Sequence, residues 1–313
     1  MNKKLLKIVY LLAFLICALP FMESTYALLL GLFLALVFTN PFPTFTAKSS
    51  KQLLKISVIG LGFGVNFYQV LEVGKHSILL TFSTIITTLF IGYFLGKLYK
   101  IEQKTSTLIS FGTAICGGSA IAAMAPAIDA DNNSIAISLA TVFTLNAVAL
   151  IIFPIIGHLL HLSQSQFGLF AALAIHDTSS VVGAASIYGA TALSIGTTVK
   201  LTRALWIAPF AFTAGLINGK KNNKISFPLF ILGFILAAFL SSYLPQYSDF
   251  WHKLNFVAKR LLVMTLFLIG TGLSKETLRE VGIKPLLQGV SLWFIVTIGT
   301  LTLIFLNILN YPR

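Results

Sequence analysis

Phe111-Gly112-Thr113-Ala114-Ile115-Cys116-Gly117-Gly118-Ser119-Ala120-Ile121-Ala122-Ala123 is a hydrophobic run broken at its centre. Adjacent glycines weaken a helix, and a serine directly after them suits the cap of a restarted one. Backbone groups freed by such a break cannot face lipid, so they must line a cavity or pack inside protein. Small residues at a helix contact would account for isolated glycines, but not for a neighbouring pair. A second run, Ala174-Ile175-His176-Asp177-Thr178-Ser179-Ser180-Val181-Val182-Gly183-Ala184-Ala185, echoes the first. Asp177, Thr178 and Ser179 are N-cap residue types, so a second restart is expected there. A restarted helix presents free N–H groups and the positive end of its dipole, which together favour an anion.

Around these breaks the charges are sparse. Of the nine acidic residues, Asp177 is the one set deep in an apolar run; of the 22 basic ones, Lys200 and Arg203 are. Charge inside a membrane is expensive and is normally paired or functional. Lys200 and Arg203 share a helix face in Thr198-Val199-Lys200-Leu201-Thr202-Arg203, and Thr141-Val142-Phe143-Thr144-Leu145-Asn146 repeats that pattern with Asn146 in the place of Arg203. An ion pair from Asp177 to one cation would leave the other over, and that surplus favours an anionic substrate. The expected substrate-binding set is therefore Cys116, Gly117, Gly118, Ser119, Asn146, His176, Asp177, Thr178, Ser179, Lys200 and Arg203. His176 could carry a proton, because its reference pKa lies near working pH, or serve as a hydrogen-bonded structural residue.

The rest of the chain sets the solvent. Of 313 residues, 57% are hydrophobic and 10% charged, with a mean hydropathy of +0.90. That is too little polar surface for a globule in water, where charged residues make up about 25%. Hydropathy and breakers give about eleven segments, at 5–22, 26–40, 53–72, 76–98, 105–128, 133–157, 165–187, 192–217, 226–244, 255–273 and 284–309. The expectation is an all-α polytopic membrane protein, one domain over 1–313. Its scaffold elements lie at about 26–98 and 226–309, and its core with two discontinuous helices at about 105–217. The first run reads as an uncleaved helix. A net charge of +13 comes from short basic clusters between apolar runs rather than one soluble face, so nucleic acid is not an expected partner. With the amino terminus cytoplasmic, 15 basic residues fall inside and 5 outside, which sets an N-in, C-out orientation. Cys17 and Cys116 form no disulfide framework or zinc site, and no metal or other cofactor is expected.

An internal repeat is also legible. Lys51-Gln52-Leu53-Leu54, Gly62-Phe63-Gly64 and Glu72-Val73-Gly74 recur as Lys259-Arg260-Leu261-Leu262, Gly270-Thr271-Gly272 and Glu280-Val281-Gly282 at one constant offset. Leu30-Gly31-Leu32 similarly matches Leu232-Gly233-Phe234. Copies starting on opposite faces form an inverted repeat, common in secondary transporters. The two broken runs do not fit this parity if each crosses the membrane. Either one of them is a re-entrant hairpin or their echo is convergent.

The motifs Ile115-Cys116-Gly117-Gly118-Ser119 with Ala125-Pro126, Ala174-Ile175-His176-Asp177-Thr178-Ser179 and Val199-Lys200-Leu201-Thr202-Arg203 resemble, in that order, the YeiH-like putative sulfate exporter family of bacterial membrane proteins. The resemblance implies a fold related to the bile-acid-symporter and sodium–proton-antiporter group, with crossed, broken helices in a moving core. The expected function is secondary active transport of a small anion, such as sulfate, a related sulfur oxyanion or a small organic anion. It would act in the bacterial inner membrane, coupled to H+ or Na+, with homo-oligomerisation left open. A cation–proton antiporter using Asp177 is the alternative. An intramembrane enzyme using Cys116 and His176 is disfavoured, as is ATP-driven pumping, since no Walker motif is present.

Overall fold

Apolar helix formers separated by glycine, proline and capping residues dictate an all-helical chain. The computed structural model describes residues 3–38, 40–218, 229–272, 282–306 and 308, among which no strand occurs. The Asn218–Lys224 turn beyond its first residue, Glu280 and Val281 of the repeat, and the basic residues Lys275, Arg279 and Arg313 lie outside the described residues. The helices are α1 (Lys3–Ile16), α2 (Ser24–Val37), α3 (Pro43–Leu61), α4 (Phe67–Leu98), α5 (Gln103–Ala114), α6 (Gly118–Ala127) and α7 (Asn132–Leu159). They continue as α8 (Gln164–Ala174), α9 (Thr178–Tyr188), α10 (Ala190–Leu205), α11 (Ile207–Ile217), α12 (Leu229–Tyr243), α13 (Ser248–Thr271) and α14 (Ile283–Phe305). Among the described residues, four stretches are long and apolar enough to cross a bilayer: Phe67–Leu98, Asn133–Leu159, Pro245–Thr271 and Ile283–Phe305. The chain divides into two compact units, residues 1–71 with 229–276 and residues 72–228 with 277–313.

In the first unit the repeat seen in the sequence is a packing rule. A Cβ on Gly31 of α2 would run into the Phe267 carbonyl of α13, and one on Gly270 of α13 would lie 2.5 Å from the Leu28 carbonyl. The matching residues repeat the contact: Gly62, just after α3, abuts the Phe234 carbonyl of α12, and Gly233 of α12 abuts Ile59 of α3. Each copy's first helix therefore packs on the second helix of the other copy, backbone against backbone at Gly31, Gly62 and Gly270 and backbone against the Ile59 side chain at Gly233. Only glycine permits that approach, which suits helices with no hydrophobic drive to associate in lipid. Arg260 of α13 adds a polar tie, donating to the Leu19, Pro20 and Met22 carbonyls that follow α1.

The second unit bears on the choice the sequence left open, whether a broken segment crosses or folds back. Lys104, at the start of α5, donates to the Asp129 carbonyl beyond the end of α6 at 2.7 Å. Straight through, those residues would stand about 37 Å apart at 1.5 Å per residue. The pair α5–α6 is therefore a re-entrant hairpin with its tip at Ile115–Gly117. The pair α8–α9 folds back likewise: the Tyr188 hydroxyl donates to the Leu162 carbonyl at 2.5 Å, and its ring stacks on Phe167 at 3.8 Å. Its tip is Ile175–Asp177. Each leg, 10 to 12 residues long, is about half the length that a crossing needs. Between the hairpins α7 runs 28 residues, about 42 Å, so they enter from opposite ends and meet tip to tip. This resolves the parity of the echo, because the matching motifs now belong to oppositely directed hairpins.

Local chemistry fixes the hairpin ends. Glu102 accepts from Thr105 and from Ser134, and Asp131 caps α7 through the Ser134 amide. Those bonds from Ser134 hold the Asp131 carboxyl below the usual carboxylate range. Ser163 and Gln166 form a reciprocal capping box at the start of α8. The segment expected at 192–217 is split between Leu205 and Ile207, because Pro209 lacks the N–H that would bond the Leu205 carbonyl.

Two measurements check this architecture. Cysteines placed at Gln103 and Asn133 should label from one face of the membrane, and cysteines at Leu160 and Thr191 from the other. Labelling of Gln103 and Asn133 from opposite faces would restore the crossing reading. Gly270→Val should lower stability by about 1–3 kcal/mol through overpacking. Gly299→Ala, with nothing within 4 Å of the new Cβ, should be neutral or slightly stabilising in the same thermal-unfolding assay.

Candidate functional site

At the first tip the chain leaves α5 after Ala114 and turns through Gly117, whose φ of 66° and ψ of −128° suit glycine alone. A Cβ there would lie 3.2 Å from the Asp177 Cβ and 3.5 Å from Val142, so the tips touch. The non-helical stretch is shorter than expected, because Gly118 and Ser119 already belong to α6. Gly117 supplies no side-chain cap to α6. Cys116 is buried beside it.

The second tip is built differently. The Asp177 side chain caps α9, its Oδ2 accepting from the Ser180 amide at 3.2 Å and from the Ser179 hydroxyl. The dipole of α9 is thus already met by a carboxylate, whereas that of α6 is not. Asn146 of α7 bridges across: its Oδ1 accepts from the amides of both His176 and Asp177, at 3.1 and 3.2 Å. The residue equivalent to Arg203 in the echoed pattern therefore serves the opposite hairpin, holding its tip open.

Lys200 and Arg203 are fully buried, and they bond to carbonyls rather than to Asp177. Lys200 Nζ donates to the Ile175 carbonyl at 2.7 Å and to the Ala172 carbonyl at 3.3 Å. Arg203 Nη1 donates to the Leu173 carbonyl at 2.7 Å and the Ala172 carbonyl at 3.4 Å. Both cations close the C-terminus of α8, where orphan carbonyls and the negative dipole end make cations favourable. Four hydrogen bonds to three carbonyls satisfy this helix end, in place of the ion pair with Asp177 considered from the sequence.

What remains unsatisfied defines the site. Asn146 Nδ2, Arg203 Nε and Nη2, and both His176 ring nitrogens are buried without a hydrogen-bond partner. So are the hydroxyls of Thr113, one turn before the first tip, and Thr197, one turn before Lys200. The two threonines were not singled out from the sequence; their helical spacing from Gly117 and Lys200 was the available signal. Buried donors without partners are uncommon in folded proteins and ask for an occupant. Most are donors, suited to oxygen acceptors. Thr178 and Ser179 are half-buried, while Ser119 is exposed, turned away from this group. With His176 unbonded, it makes no hydrogen bond to Cys116 such as a thiol nucleophile would require. Among the described residues, no cluster of three His, Cys, Asp or Glu could hold a metal ion.

A family model described as conserved hypothetical protein 698 matches residues 4–289. The chain belongs to this family. Similar proteins include the UPF0324 membrane protein of Geobacter sulfurreducens, 55% identical over 293 residues, with 94% of each chain covered. Another, from Bdellovibrio bacteriovorus, is 52% identical over 314 residues, covering 98% of this chain and 97% of the relative. A third, from Bacteroides thetaiotaomicron, is 50% identical over 284 residues, covering 89% and 85%. No solved structure matches the chain. With these relatives named as membrane proteins and several apolar helices in its own fold, the chain is a multi-pass membrane protein.

The tip geometry makes a specific demand. Gly117→Ala should destabilise by about 1–3 kcal/mol, because the alanine is forced into a backbone region that side chains avoid. Lys200→Met should cost a similar amount, about 1.5–3 kcal/mol for the lost charged hydrogen bonds. Denaturation in detergent measures both; an unchanged midpoint for Gly117→Ala would mean that the tip is not held in the described conformation.

Proposed function

We propose that the chain is a secondary active transporter that carries a small anion across the bacterial cell membrane by alternating access. The observation that carries this reading is the meeting of two oppositely directed hairpin tips around buried, unpartnered donors. The N-terminus of α6, which Gly117 leaves without a side-chain cap, Asn146 Nδ2 and the free Arg203 nitrogens are the donors that would meet an anion there. Lys200 and Arg203 against the Asp177 carboxylate give a net surplus of positive charge. Broken helices whose ends meet between repeats are the recurring substrate site of secondary transporters. A tetrahedral oxyanion such as sulfate or thiosulfate offers several acceptors to donors arranged in this way. The amino terminus is assigned to the cytoplasm by the basic-residue asymmetry, which also sets the α5–α6 hairpin to enter from the cytoplasmic face. H+ or Na+ is the natural coupling ion, and the Asp177 oxygen that does not cap α9 is the group available to it.

Asn146→Asp separates the site from the fold. The new carboxylate keeps the acceptor for the His176 and Asp177 amides, but it replaces a donor with a negative charge. Purified protein should be screened by thermal shift against sulfate, thiosulfate, sulfite and small organic anions. An anion at 100 times its Kd should stabilise the wild type by about 2.7 kcal/mol. Asn146→Asp should fold with a similar melting temperature and lose that shift. No shift with any anion in the panel, or an equal shift in the variant, would reject this reading.

A further inference from the structure

The two hairpins share a pattern but differ in what flanks their legs. Beside the first is a cleft of about 490 Å³ lined along α5 by Ser106, Thr107, Ser110 and Phe111, and along α6 by Met124 and Ile128. Its outer rim carries Lys97 and Lys100, and its far wall includes Phe210 of α11. The cleft follows α5 inward as far as Phe111, one helical turn before Ile115 of the tip. There it ends: Phe111 is fully buried, and its ring meets the edge of Phe210 at 6.3 Å between centroids. The next residue, Gly112, accepts a hydrogen bond from the Gly117 amide at 2.8 Å, so the floor of the cleft is joined directly to the tip. The legs of the second hairpin are packed with rings instead. Trp293 stacks on Phe153 at 5.2 Å, Phe153 on Phe170 at 4.8 Å, and Phe167 on Tyr188 at 3.8 Å.

We infer that this cleft is the aqueous entrance to the tip site from the Lys97–Lys100 face, and that the Phe111–Phe210 contact is the gate closing its floor. The inference rests on the tips being the substrate site. The lysines concentrate anions at the rim, as a single sign of charge does at any narrow mouth. Thr107 and Gln103 join the two lysines as polar groups along an otherwise mainly apolar wall. In this conformation the aromatic floor keeps water from the tip. The ring-packed legs of the second hairpin hold the opposite entrance shut in this conformation, so the structure is open toward one face as far as the gate.

Cys116 is a built-in reporter, being buried at the tip just beyond the proposed gate. In a Cys17→Ala background it is the remaining thiol of the two in the chain. The experiment measures its modification by a membrane-impermeant cationic methanethiosulfonate in native vesicles of both orientations, with no added anion. Phe111→Ala should accelerate modification about tenfold or more, because it removes the need for local opening. The acceleration should occur only from the face that labels a cysteine at Gln103. Phe210→Ala opens the same floor from α11 and serves if Phe111→Ala folds poorly. Adding Thr107→Trp, which fills the cleft above the floor, should return the rate to the slow value. Unchanged rates in both alanine variants, or acceleration from the opposite face, would overturn the gate. Because no anion is used, a failed anion screen with normal acceleration would reject the transported species and leave the entrance standing.

Discussion

A backbone that breaks inside a membrane must find partners for every freed N–H and carbonyl, and the second unit of this protein is organised by that requirement. Ile115–Gly117 and Ile175–Asp177 interrupt two helices in the interior of the unit. The carbonyls at the end of α8 go to Lys200 and Arg203, the amides of the second tip go to Asn146, and the start of α9 goes to Asp177. Without these bonds each tip would expose several polar groups at a few kcal/mol apiece. The conspicuous polar residues are therefore first of all the completion of the backbone. The atoms left over, on which the proposed binding rests, are one amide nitrogen, two guanidinium nitrogens and an imidazole.

The first unit uses the same device where α3 ends, Asn255 donating to the Gly60 and Leu61 carbonyls. Elsewhere the glycines Gly31, Gly62, Gly233 and Gly270 bring its helices together by shape. Such packing is dense and tolerates little change, whereas hairpin tips held by a few directed bonds have alternative partners available. A rigid body built by close approach and a reactive one built by hydrogen bonds is a reasonable basis for unequal mobility.

Much of this was legible in the sequence, and the failures have a physical origin. The break positions were marked by Gly117-Gly118 and by Asp177-Thr178-Ser179, since backbone geometry and capping have residue-type signatures. The repeat was marked by its glycines for the same reason. Folding back stood only as one of two alternatives, because two short apolar legs joined at a tip have the same hydropathy as a single crossing. Only long-range contacts such as Lys104 with the Asp129 carbonyl distinguish the two. Lys200 and Arg203 stood out as buried cations, but a carbonyl partner leaves no mark in composition, and a carboxylate was the visible candidate. The break before Pro209 was visible as a proline, but not as a helix end, because apolar residues continue on both sides.

The guanidinium of Arg203 is a permanent charge bolted to the carbonyls of α8. It cannot slide along its own helix without abandoning that end of the hairpin, so any displacement of the α8–α10 body carries it along. A full passage of one elementary charge through the bilayer field is worth about 2.3 kcal/mol for each 100 mV. Even a partial shift would couple the body to the resting potential of the cell. Voltage would then act on the protein's conformational equilibrium itself, independently of the charge of whatever it carries.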